Sequence, residues 1–189
     1  MIRWYKKKTI IVILTIIVLY SLFRCKKYTV RYNAIVSNSR PIEVWEFVSD
    51  FNNMKKLNPT IKDFNILSES GNYKHWKYQV FYTECLSQLP SVTNFAWADF
   101  EAKKISDNEF VIHSTHKTCF MTSYTCVHTE STFLVEPTID RYETSYTEII
   151  DYECPVLFSK FCYTEVLHQR EKIRKNLDYI FTTYRHRNT

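Results

Sequence analysis

"SRPIEVWEFVSDFNNMKKLNPTI", residues Ser39 to Ile61, decides the fold. Pro41 suits the first turn of a helix, where its missing N–H would have no intrahelical partner, and Glu43 sets an acid near the positive helix end. Ile42, Trp45, Val48 and Phe51 share one face of such a helix, and Glu43, Glu46 and Asp50 share another. A second short helix is predicted around Asn52 to Leu57, stopping before Pro59 because proline disfavours helical backbone in the residue ahead of it.

Working outward, the period changes to two. Upstream, Tyr28, Val30, Tyr32, Ala34 and Val36 alternate with Thr29, Arg31, Asn33 and Ile35, which predicts a strand with one apolar face. Downstream, strands are predicted over Ile61 to Ser68, Tyr73 to Tyr82, Thr93 to Ile105, Phe110 to Thr118, Thr125 to Val135 and Ile139 to Tyr152. The first of these is expected to end in a turn at Glu69-Ser70-Gly71-Asn72, and Pro137 with Asp140 marks the last hairpin turn. From Pro155 the pattern becomes helical. Phe158, Cys162, Val166, Ile173, Leu177, Ile180 and Tyr184 recur at three-, four- and seven-residue steps, with Arg170, Lys172, Lys175 and Asp178 assigned to the other face.

The order is therefore strand, two short helices, about six strands and one long helix. With Pro41, Val44, Trp45, Phe47, Val48, Asp50, Phe51, Leu57, Asn58 and Pro59 in the opening segment, it resembles the START-like superfamily, which includes polyketide cyclase-like, coenzyme-Q-binding-like and pollen-allergen-like proteins. The resemblance covers about Tyr28 to Tyr184. It implies an α+β helix-grip fold, a curved antiparallel sheet of about seven strands around a long C-terminal helix, with an apolar cavity between them. On that architecture Trp76, Tyr78, Tyr82, Phe95, Trp97, Phe133 and Tyr146 are the expected strand residues of the cavity, and Cys162, Val166 and Ile173 those of the helix. Trp45, Phe51, Leu57 and Pro59 would form its lid. The competing reading is that the same aromatics fill the interior completely.

Composition narrows the function. A single glycine, Gly71, argues against phosphate-cradling loops and dinucleotide folds, so no nucleotide cofactor is expected. Of 25 basic residues, seven lie in the first 27 positions, which hold no acid; the remainder carries 18 basic against 20 acidic residues, a net of −2. The basic pI thus belongs to the N-terminus, and the body has no basic face of the kind that binds nucleic acid. Between Lys8 and Arg24 lies the uncharged run "TIIVILTIIVLYSLF", flanked by lysines and lacking a small-residue cleavage site. It is read here as an N-terminal transmembrane helix, with residues 1–27 forming the anchor and its basic flanks, 28–184 the domain and 185–189 a basic tail. Lysines and arginines on the N-terminal side slightly favour a lumenal or extracellular domain.

Cys119 and Cys126 are spaced to face each other across a hairpin, and Cys154 and Cys162 to bridge a strand end to the following helix; both pairs are candidate disulfides, with buried free thiols the alternative. The chain has no CxxC pair, HExxH or nucleophile elbow, and no metal site is expected. Most of the six histidines are expected to face solvent from strands. The function this points to is binding or transfer of an apolar small molecule (a lipid, sterol or isoprenoid) by a membrane-anchored domain. The alternatives are a membrane-tethered interaction module with a filled core and a cyclase-type enzyme.

Overall fold

The structure is a computed structural model that describes residues 2–120, 125–140 and 142–187, with the side chains of 2–6 and 184–187 left aside. The basic tail 185–189 lies outside the described side chains. The elements in order are α1 (Ile2–Phe23), β1 (Cys25–Ser37), α2 (Pro41–Ser49), α3 (Phe51–Leu57), β2 (Ile61–Asn72), β3 (His75–Cys85), β4 (Thr93–Lys104), β5 (Phe110–Phe120), β6 (Cys126–Pro137), β7 (Glu143–Pro155), a 3-10 turn (Val156–Phe158) and α4 (Ser159–Arg187).

The seven strands form one curved antiparallel sheet in the order β1-β7-β6-β5-β4-β3-β2. The strand that opens the domain therefore pairs with the strand that closes it, Tyr28 opposite Tyr152 and Val36 opposite Thr144. Every other pair joins sequence neighbours, as short hairpin connections require. On the inner face α2, α3 and α4 bury Val44, Trp45, Phe51, Leu57, Ile173 and Leu177 against Tyr78, Val80, Phe100, Phe110, Val135 and Tyr146. A smaller cluster of Val30, Ile150, Tyr152 and Cys154 packs under the start of α4 with Cys162, Val166 and Leu167.

The short helices begin and end as their sequence dictates. The Arg40 backbone N–H donates to Glu43 Oε2 at 2.9 Å, and Asp50 Oδ1 accepts from the Asn52 N–H at 2.9 Å, so each helix start has a carboxylate on an otherwise unpaired donor. Asn58 closes α3 with its own N–H on the Met54 carbonyl, and its Oδ1 accepts from Thr60. Asn176 of α4 donates to the Leu57 carbonyl at 2.8 Å, which ties the long helix to the hairpin of short ones.

Two expectations change. The β2–β3 turn falls at Tyr73-Lys74 rather than over Glu69–Asn72, because Asn72 Oδ1 accepts from the backbone N–H of both Lys74 and His75 and so closes the tighter loop. The transmembrane helix is overturned as well. The N-terminal run does form a helix, but among the described residues no helix is long and apolar enough to cross a membrane. Fifteen uncharged residues at 1.5 Å each reach roughly 22 Å, against about 30 Å of hydrocarbon. The single-pass placement, its lean toward a lumenal domain and the membrane as a partner fall with it.

Candidate functional site

Between the inner face of the sheet and α4 lies a cavity of about 220 Å³. Its apolar lining comes from Val48, Phe51, Met54, Ile61, Phe100, Ile112 and Ile173, and from Val127, Ile150, Tyr152, Phe161, Cys162 and Val166. Among these runs a polar band that the sequence reading did not anticipate. Strand parity builds it. Tyr82 and Glu84 of β3, Asn94 of β4, Ser114 and His116 of β5, Thr129 and Ser131 of β6 and Glu148 of β7 all occupy inward positions of neighbouring strands. Glu165, Gln169 and Arg170 meet them from α4.

Within the band most groups are paired. Arg170 Nε lies 2.7 Å from Glu148 Oε2, close enough for an ion pair but out of line for a hydrogen bond, so the nitrogen is left without a directional acceptor. Ser131 donates to Glu148 Oε1 at 2.6 Å. Glu165 accepts from the Ser87 backbone N–H at 2.9 Å, from the Ser87 hydroxyl at 2.5 Å and from Gln169 Nε2 at 3.2 Å, which fastens the β3–β4 loop to α4 beside the cavity. His116 sits between the Tyr82 hydroxyl (Nδ1, 3.0 Å) and Ser114 Oγ (Nε2, 2.9 Å). Burial, reinforced by the Arg170 charge, pushes the imidazole down to about 4, so it is neutral at physiological pH.

Glu84 is the exception. Its carboxyl has no hydrogen bond or ion pair among the described residues. Desolvation first, and the nearby Glu165 charge second, raise it to about 7 against a partial offset from Arg170. Opposite it in register, Asn94 is 1% exposed and its Oδ1 has no donor.

Five of the ten expected cavity residues line this space: Tyr82, Phe133, Cys162, Val166 and Ile173. Tyr78 and Tyr146 face inward but are packed into core, Tyr78 donating to the Ser49 carbonyl at 2.8 Å and Tyr146 stacked on Phe133 with centroids 4.6 Å apart. Trp76 lies beyond the cavity, against Tyr78. Phe95 and Trp97 are on the wrong face. They stand 42% and 44% exposed on the outside of β4, next to Phe81, because Trp97 pairs with Phe81 and only even-numbered residues of β4 share a face with Tyr78 and Tyr82. Of the lid residues, Phe51 reaches the cavity, Trp45 and Leu57 are core, and Pro59 is exposed.

Cys119 is disulfide-bonded to Cys126 across the β5–β6 hairpin, and Cys154 to Cys162 between β7 and α4; Cys85 is a buried free thiol and Cys25 an exposed one. Arg170, assigned from the sequence to the solvent face, belongs to the inward stripe: it lies four residues after Val166 and three before Ile173. That spacing was the available signal. For Glu84 it was the continuation of the Trp76-Tyr78-Val80-Tyr82 parity by one more step.

No known family model matches the sequence, and no curated protein does. Similarity appears in three dimensions. A START superfamily protein from Mycobacterium smegmatis superposes with a TM-score of 0.57 at 14% identity, over 82% of this chain and 98% of that one. Ara h 8.0201 gives 0.56 at 11% identity over 84% and 99%, and human STARD10 gives 0.59 at 8% identity over 79% and 62%. The chain has the START-like helix-grip fold.

Proposed function

We propose that this protein binds a small hydrophobic molecule in the cavity between its sheet and α4. The observation that carries the reading is an open space between sheet and helix beside a packed core, with a largely apolar lining crossed by a polar band. Apolar ligand surface removed from water contributes about 25 cal/mol per Å², while the band fixes orientation. A lipid, sterol or isoprenoid has an apolar body of the kind these walls would take up.

The test is native mass spectrometry of the purified protein with organic extraction, alongside Thr129→Trp. Thr129 lines the cavity and is only partly buried, so the indole fills the space without displacing a buried group. A co-purifying small molecule present in the wild type and absent from T129W is the expected result. No bound molecule, and no affinity for apolar probes in either form, would leave the filled-core interaction module as the better reading.

A further inference from the structure

Resting on that reading, we infer that the molecule bound in the cavity is an amphiphilic amine, its ammonium group seated between Glu84, Glu165 and the side-chain oxygen of Asn94. The polar band has one cation, Arg170, and Glu148 stands against it at 2.7 Å. Glu165 is held only by uncharged donors, two from Ser87 and one from Gln169. Glu84 lines the cavity half-buried, with no hydrogen bond or ion pair among the described residues, and Asn94 Oδ1 is the fully buried acceptor without a donor. What the band lacks is therefore a hydrogen-bond donor bearing positive charge. A buried acceptor left unmade costs about 1–3 kcal/mol, and a charge-assisted bond is roughly twice as strong as a neutral one. An ammonium with three N–H donors answers all three acceptors at once. A carboxylate head would have to compete with Glu148 for Arg170 and would meet Glu84 and Glu165 as like charges.

Proton linkage gives the site a second signature. The titratable and charged groups lining the cavity around Glu84 are Tyr82 from its own strand, His116 from β5, Glu148, Tyr152 and Glu153 from β7, and Glu165 and Arg170 from α4. His116 is neutral above about 4, so Glu84, at about 7, is the group that changes charge near neutrality. Seating an ammonium expels the Glu84 proton, and amine affinity therefore rises with pH through about 7.

The experiment uses benzylamine, benzyl alcohol and benzoate, which share one ring and differ in head group, titrated calorimetrically against the full chain from pH 5.5 to 8.5. The expected ranking at pH 7.5 is amine over alcohol by about tenfold or more, with benzoate weakest. The amine-to-alcohol ratio should rise with pH in the wild type and become smaller and flat in Glu84→Gln, where Glu165 and Asn94 still face the ammonium. Benzoate binding tightest, or amine and alcohol binding equally at every pH, overturns the inference and leaves the cavity reading standing. If none of the three binds, and T129W changes nothing, the cavity reading falls with it.

Discussion

At Gly71 the backbone turns to φ +103°, and an added Cβ would lie 2.1 Å from the carbonyl oxygen of His75. Strain and clash act together there, and the clash is with backbone rather than with a side chain that could swing away. Gly71→Ala is expected to cost about 2 kcal/mol or more, read as a lower urea midpoint at unchanged m-value. A loss under about 0.5 kcal/mol would show that the hairpin tip shifts freely. The same residue scale is where sequence reading was weakest. Phe95 and Trp97 carry more apolar surface than Asn94, Ala96 and Ala98, yet the latter face inward. Small inward side chains leave room for the helix hairpin and for Phe51 and Phe100, which meet with centroids 5.6 Å apart. Hydrophobicity alone points β4 the wrong way; its pairing with β3 points it correctly.

The elements themselves were largely legible, because period two and period 3.6 are local properties of the chain. The Ser39–Ile61 segment forms the two helices that its proline, acids and apolar face specify. What local pattern could not supply was the polar band, since its members come one to three at a time from β3, β4, β5, β6, β7 and α4 and leave no motif. It also could not supply the clasp of Ser87 on Glu165, which joins positions 78 residues apart. One elemental junction carries a prediction. The Cys154–Cys162 bond closes a short loop between β7 and α4, and Cys162 lines the cavity. In the chain-entropy view a loop of that length stabilises by about 2–3 kcal/mol. Replacing both cysteines by alanine should lower the unfolding free energy by that amount, with a lower thermal midpoint, and raise amide exchange in the first turns of α4, with little change in β4 and β5. Uniform acceleration across the whole sheet would contradict a local role.

Over the whole molecule, Glu84 and His116 make opposed contributions to stability. Glu84 is raised from 4.5 to about 7, so the folded state holds its proton more tightly; the contribution is complete below 4.5 and is lost as pH rises through 7. His116 is lowered from 6.5 to about 4, so its contribution is complete above 6.5 and is lost as pH falls toward 4. Each is worth up to about 3 kcal/mol, and between 4.5 and 6.5 they cancel. The wild-type protein should show a nearly flat stability profile in that range by urea unfolding. Glu84→Gln should unmask the histidine, so that stability climbs with pH from 4.5 to 6.5. An unaltered flat profile in the variant would exclude Glu84 as the compensating group.

The pairing of β1 with β7 has a consequence for synthesis. Thr29 and Asp151, which meet through a 2.5 Å hydrogen bond, are 122 residues apart in the chain. At roughly 5–20 residues per second, the first strand leaves the ribosome about 6–25 seconds before its only neighbour in the sheet exists. During that interval the β2–β6 meander can zip hairpin by hairpin, while β1 waits with both of its edges unmatched. Docking of the first strand thus waits for the last, and α4, which follows β7 in the chain, brings its side of the cavity later still.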